Sequence, residues 1–439
     1  MDFLTKLATL VDRPLFPWKK LILGFSVAQY LFETYLSARQ YKVLKGTTIP
    51  KQLEGAVTKE VFDKSQAYGR AKANFGYVKG LYGQIQNVSF IVYDVLPQLW
   101  GFTGSLMLKY CPSYFIGEIT HSIVFFVVFN LIVTVLNAPV DYYGHFVVEE
   151  KYGFNKQTVS LWLTDMLKGQ ALSIVLGAPI LAGFLKIVQS FGTNFFFYLW
   201  AFGVFVQVVA ITIYPIWILP LFNKLEPLAP GDLKDEVEAL AKKLKFPLKK
   251  LYVIDGSKRS AHSNAYFYGL PWGKHIVIYD TLIEKSDTEE VVAVLAHELG
   301  HWSLGHTTKL FGIAQFHMFY IFALFSVFIN NRSLYRSFGF HASQPIIIGF
   351  ILFSDVLAPM DTVVKFFLNV VTRAFEYQAD AFALGLGYKE MLAKSLIKLQ
   401  VQNLSTMDAD WMYSSYHYTH PILTERLGAL EWKGEKKAQ

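Results

Sequence analysis

The 439-residue chain contains one cysteine, and only 17% of its residues are Asp, Glu, Lys or Arg. The lone Cys111 excludes an intramolecular disulfide and reads as a small core hydrophobe. So little charge argues against the two or three soluble domains that the length would otherwise allow. Internal repeats and low-complexity segments are absent, which sets aside solenoid architectures. Residues 1–20 lack an apolar core followed by small residues, so no cleavable signal peptide is expected and the first span should serve as the signal.

Apolar residues are what the chain has in excess. They make up 53% of it, mean hydropathy is +0.31, and much of the chain is expected in lipid. An aromatic content of 16% suits membrane-interface belts and a lined cavity. In such a protein the net charge of +7 reflects Lys and Arg in cytoplasmic loops, and no nucleic-acid partner is expected. Seven apolar stretches read as spans, near residues 21–36, 85–107, 116–136, 171–188, 195–219, 310–328 and 345–371. Pro97 and several polar residues interrupt the second.

Loop charge sets the expected orientation. Between Arg39 and Lys79 nine Lys or Arg face three acids, Glu54, Glu60 and Asp63, so that loop should be cytosolic. Alternation then puts residues 141–168, 222–308 and the C-terminal tail in the cytosol as well. Glu33, Asp94, Glu118, Asp355, Asp361 and Arg373 lie within or at the ends of spans, where they should face a protein interior or a wet cavity. A transporter would carry such residues too.

The strongest chemical signal is His297-Glu298-Leu299-Gly300-His301, an H-E-x-x-H motif behind an apolar run. On a helix the two imidazoles lie one turn apart on one face, a spacing that lets both ring nitrogens bind one metal ion. Glu298, beside the first ligand, is placed to take a proton from an activated water and return it to a leaving amine. Three unpaired polar groups on an apolar helix would otherwise be costly to bury.

A catalytic zinc site usually has three protein ligands. His306 does not supply the third in the metzincin manner, because Leu304 and Thr307 stand where that pattern needs Gly and His. The better candidate is Glu376, four residues before Asp380 and so on the same helical face. Asp380 would then accept the second ring N–H of a ligand histidine. An ordinary solvated acidic face is the alternative.

Residues 225–304 read as a compact soluble insert. The apolar spacing of Leu233, Val237, Leu240 and Leu244 predicts an amphipathic helix over 232–244. Residues 251–255 and 275–280 are strand-like runs. The segment 263–269 between them fits either a plain hairpin or an edge strand able to pair with an extended peptide. In the tail, His420 is a surface histidine or a donor to an oxyanion. Lys436 and Lys437 have the form of a dilysine retrieval signal or of a solvated basic end.

The combination of HELGH at 297–301, FEYQADAFA at 375–383, SNAYFYG at 263–269, HPILTER at 420–426, EEKYGFNKQT at 149–158 and seven spans resembles the type I CaaX prenyl proteases. These are integral-membrane zinc endopeptidases that remove the last three residues of prenylated CaaX proteins. The resemblance implies a mainly α polytopic fold, with seven transmembrane helices enclosing a chamber and a gluzincin-like zinc metalloprotease domain with a small β-hairpin or sheet. It implies one Zn2+ per chain held by His297, His301 and Glu376, with Glu298 as general base. Asp380 and Arg426 would support the site, His420 would stabilise the transition state, and Asn264 would line the substrate groove.

The resemblance further implies membrane lipid and prenylated CaaX substrates as partners, the endoplasmic reticulum and inner nuclear membrane as location, and in some members a second upstream cut in a pheromone or prelamin precursor. Residues 331–343 form a shorter loop than such enzymes lead one to expect. The corresponding domain reading is spans one to five in 1–220, a metalloprotease insert in 221–309, spans six and seven in 310–371, and the rest of the protease domain in 372–439. Two other readings stay open at this point. One is a membrane quality-control zinc protease without a prenyl requirement; the other is a transporter or structural membrane protein in which HELGH is incidental.

Overall fold

A computed structural model describes residues 2–432, so Lys436 and Lys437 lie outside the described residues. The chain is mainly helical. Five helical stretches are long and apolar enough to cross a membrane: Glu118–Glu149, Val159–Ser190, Gly192–Phe222, His306–Phe328 and Ile346–Gly385. These overlap the last five spans read from the sequence.

The first two expected spans fall on more polar helices. Trp18–Val43 carries Lys19, Lys20, Glu33, Arg39 and Lys42. The second expected span straddles two helices, Lys59–Val92 and Val95–Tyr110. The break is at Asp94, which adopts a left-handed φ of 50° and accepts from Lys19 Nζ at 2.8 Å. Pro97 sits in the first turn after that break, where its missing N–H leaves no helical bond unmade.

Most of the ionisable residues near the spans are paired. Glu33 accepts from Tyr416 Oη, Glu118 accepts from the Ile346 N–H, His317 faces Asp361, and Arg373 donates to Glu425. For Glu33, Glu118 and Arg373 such pairing meets the demand that charge at membrane depth find a partner.

Outside the apolar helices lies a four-stranded mixed sheet of order β1-β2-β4-β3, with β1 Leu225–Pro227, β2 Leu248–Ile254, β3 Ala265–Leu270 and β4 Gly273–Tyr279. β3 and β4 form an antiparallel hairpin, and β2 runs parallel to β4. Gly269 permits the tight hairpin: its φ is +116°, and a Cβ there would come within 2.3 Å of the Gly273 carbonyl oxygen. β3 is an edge strand, so one row of its backbone groups faces outward. The amphipathic helix runs Asp232–Lys243 and buries Val237 and Leu240.

The helix bearing HELGH, Thr288–Ser303, starts with a capping box between Asp287 and Glu290. Lys398 anchors that end by donating to Glu290 Oε2 at 2.7 Å. The helix is the spine of the soluble core, burying Val291, Val292, Ala293, Leu295, Ala296 and Leu299. It packs on the 40-residue helix Ile346–Gly385 at Gly300, where a Cβ would lie 3.3 Å from the Ala379 backbone. One continuous helix thus carries Glu376 and Asp380 from the apolar region to the HELGH motif.

The C-terminal segments close the third side. Asn369 Nδ2 donates to the Tyr416 carbonyl at 2.6 Å, and Arg373 reaches Glu425 at 2.8 Å. These contacts dock the short helix Leu423–Ala429, and Arg426 with it, on the long helix.

Leu299 is fully buried between His297 and His301 in the chain. Leu299→Ala should therefore cost about 2–5 kcal/mol and lower the thermal midpoint of the detergent-solubilised protein. An unchanged midpoint would mean that this helix is not packed in the core described.

Candidate metal centre

His297, His301 and Glu376 present ligand atoms that all lie within 4.8 Å of one another. His297 Nε2 is 3.2 Å from His301 Nε2 and 3.5 Å from Glu376 Oε2, and His301 Nε2 is 3.2 Å from Glu376 Oε1. Donors about 2.0–2.1 Å from a tetrahedral zinc ion lie about 3.3–3.4 Å apart, close to the separation of the two imidazole nitrogens, and a carboxylate oxygen lies at similar range from each, Oε2 from His297 and Oε1 from His301. Glu376 Oε2 is buried and has no hydrogen-bond partner. Two imidazole nitrogens and a buried carboxylate oxygen without a hydrogen-bond partner, brought this close together, fit a shared cation.

Ring orientation explains why the lone pairs face inward. His297 Nδ1–H donates to Asp380 Oδ1 at 2.8 Å, which turns Nε2 towards the cluster as the atom that would meet a metal. Asp380 is held in turn by Arg426, whose Nε and Nη2 donate to its two oxygens at 2.8 and 2.6 Å. Burial alone would keep His297 neutral. The carboxylates of Asp380 and Glu376 outweigh burial and raise its pKa to about 8, so a bound metal must displace a proton there.

Glu298 lies beside these rings. Burial pushes its carboxyl above the usual carboxylate range, against the pull of His297 and His301, and so makes it a stronger proton acceptor. The structure brings His420 to the site as well: its Nε2 is 3.2 Å from Glu376 Oε1. The His420 side chain remains 64% exposed because it faces a cavity of about 680 Å³ that is also lined by Glu33, Tyr68 and His262. Asn264 is not brought into this cluster. It is exposed at the entrance to β3, where its Oδ1 accepts from the Ala265 N–H.

His306 is the residue whose part the sequence did not reveal. It lies outside the His297–His301–Glu376 cluster, yet its Nδ1 lies 3.0 Å from His301 Nδ1 and its Nε2 lies 2.9 Å from Gln378 Oε1. The consistent arrangement has His301 Nδ1–H donating to His306, and His306 Nε2–H donating to Gln378. His306 stacks on Phe375 at 4.1 Å with the rings nearly parallel. Each histidine of the cluster therefore has its own orienting partner: Asp380 for His297 and His306 for His301. The sequence offered no local signal of this contact, because Gln378 lies 72 positions away.

Two family models divide the chain. Residues 40–224 match the family described as "CAAX prenyl protease N-terminal, five membrane helices", and residues 227–433 match peptidase family M48. The CAAX prenyl protease 1 of Saccharomyces cerevisiae is 46% identical over 98% of this chain and 99% of its own length. The Arabidopsis thaliana homolog is 45% identical over 96% and 99%, and the Homo sapiens homolog 39% over 93% and 94%. The crystal structure of S. mikatae Ste24p superposes with a TM-score of 0.92 at 45% identity, covering 95% of this chain and all of that one.

Loss of the orienting hydrogen bond should weaken metal retention without unfolding the protein. His306→Ala should lower zinc affinity by about 10–100-fold, measured by competition with a chromogenic chelator, at a thermal midpoint close to that of the parent measured with excess zinc. Parental affinity in the variant would remove His306 from the support of His301.

Proposed function

Because the chain belongs to the CAAX prenyl protease 1 family of M48 peptidases, we propose that it is a zinc endopeptidase that removes the C-terminal tripeptide of prenylated CaaX proteins. It is a multi-pass membrane metalloprotease. The convergence of His297, His301 and Glu376 from two helices, with Glu298 alongside, carries the assignment of its chemistry.

In the proposed mechanism these three residues hold one zinc ion. When bound, zinc supplies Lewis acidity that polarises a scissile carbonyl and makes water more acidic. Glu298 accepts the proton of the attacking water and passes it to the departing amine. His420, open to the cavity, donates to the oxyanion of the tetrahedral intermediate. Asp380 and Arg426 fix the His297 ring throughout, and His306 fixes that of His301. The substrate main chain pairs with the outer edge of β3, and Asn264 stands where that edge begins.

The larger architecture follows the same reading. Seven spans, two of them on the more polar helices near the N-terminus, enclose a chamber, and the cavity beside His420 is the part of it that reaches the metal centre. In this reading the cationic loop between Arg39 and Lys79 faces the cytosol together with the protease face and the C-terminus, and the membrane is that of the endoplasmic reticulum, as the family resemblance implies. The protease domain is assembled from the 221–309 insert and the 372–439 segment, with the last two spans between them. In some settings a second upstream cut in a pheromone precursor accompanies the first.

Purified protein should release the tripeptide from a CaaX peptide bearing a farnesyl cysteine, and chelator should abolish the release. The same peptide without the farnesyl group should be cleaved at least tenfold more slowly. Equal rates on both peptides would keep the protease and discard the prenyl requirement, as expected of a membrane quality-control enzyme.

A further inference from the structure

A second cavity, of about 500 Å³, lies away from the metal centre, between the end of the Gly192–Phe222 helix and one face of the sheet. Pro215, Ile216 and Pro220 form its membrane-side wall, and Lys249, Lys250 and His275 line its other side. No Asp or Glu is among the lining residues. The nearest acids are engaged elsewhere: Glu226 pairs with Lys224 Nζ, and Asp255 accepts from Asn223 and from the Lys224 N–H. Among the described residues, neither Lys249 nor Lys250 has a carboxylate partner.

Consecutive residues of a regular strand point to opposite faces, so two successive lysines in one cavity call for a reason. Pairing of β2 with β4 skips a residue between Leu248 and Lys250, a β-bulge centred on Lys249. A bulge re-aims a side chain, and this one lets Lys249 and Lys250 share the cavity. The Lys249 stem also lies over Gly273, where a Cβ would meet it at 2.8 Å.

His275 completes a cationic wall. Its ring stacks on Tyr268 at 5.0 Å, and its Nδ1 is buried without a hydrogen-bond partner. Burial, followed by the two ammonium groups, holds His275 below its usual range. An anion in the cavity would relieve that repulsion.

The position of the cavity indicates what kind of anion. It opens where an apolar helix leaves the membrane, through a π-helical turn at Tyr214–Ile218. Trp217 on that turn and Trp272 on the hairpin are 70% and 71% exposed, and Ile216 beside them is 61% exposed. Exposed tryptophans at a helix end mark the level of lipid headgroups. Basic pockets at that level recognise acidic headgroups.

We infer that this cavity binds the phosphate-bearing headgroup of an anionic membrane lipid, with Lys249 and Lys250 on the phosphate and Trp217 and Trp272 in the interface. Bound there, a lipid would brace the hairpin whose β3 strand forms the sheet edge against the membrane.

The test uses the full-length, zinc-loaded protein, delipidated in neutral detergent and titrated with phosphatidylinositol or phosphatidylcholine under native mass spectrometry. The parent should hold phosphatidylinositol about 30-fold more tightly than does the K249Q/K250Q variant, since each lysine contributes a factor of about five. Phosphatidylcholine should show no difference between the two proteins, and the thermal midpoint should be unchanged. Equal phosphatidylinositol retention by parent and variant would overturn the inference, as would equal retention of both lipids by the parent. Displacement of phosphatidylinositol by millimolar inorganic phosphate would assign the cavity to a free phosphate and overturn the membrane source. If K249Q/K250Q does not fold, W272A decides in its place: it should weaken lipid retention while leaving the lysines intact, and parental retention would count against the inference.

Discussion

Gly300 permits the one contact on which the rest of this protein depends. With no side chain there, the HELGH helix lies against the backbone of Ala379, and the two helices come into a register that places Glu376 opposite His297 and His301. The sheet, the capping box at Asp287 and the Lys398–Glu290 pair fix one helix. The apolar span beginning at Ile346 fixes the other. The site exists only where a soluble core and a membrane helix meet.

The electrostatics of that meeting explain a second set of contacts around it. Burying Asp380, Glu376, His297 and Arg426 together removes several charges from water, and unpaired members of such a group would be strongly destabilising. Arg426 meets most of that demand by gripping Asp380 with two nitrogens and lying 3.6 Å from Glu376. The tail helix that carries it is itself tied to the long helix through Arg373 and Glu425. What stays unsatisfied is Glu376 Oε2, and it points to where a metal ion would sit. The polar network thus has a structural part that is complete and a ligand part that is not.

Much of this was legible in the residues, because helical periodicity is a local property. His297 and His301, like Glu376 and Asp380, are four apart, so each pair had to share a face wherever its helix lay. The amphipathic helix at 232–243 and the β3–β4 hairpin followed from equally local patterns. Features that depend on distant packing were not legible. The three-residue β1 has too little sequence to signal itself, and the parallel pairing of β2 with β4 joins segments separated in the chain by β3. His306 was weighed only as a metal ligand, since its partner Gln378 is 72 positions away and nothing local announces the contact. The polar helices near the N-terminus hide their character for the opposite reason: charges that pair across the fold, such as Arg39 with Asp410, dilute the apolar signal on which span reading relies.

The account stands on the separate duties of two adjacent residues, His297 as ligand and Glu298 as proton carrier. The most direct measurement is zinc content alongside turnover of a farnesylated CaaX peptide in Glu298→Gln and His297→Ala. Glu298→Gln should retain about one zinc per chain and lose at least a hundredfold in turnover, because a neutral amide cannot take the water's proton. His297→Ala should lose both metal and activity. Near-parental turnover in zinc-loaded Glu298→Gln would contradict the account.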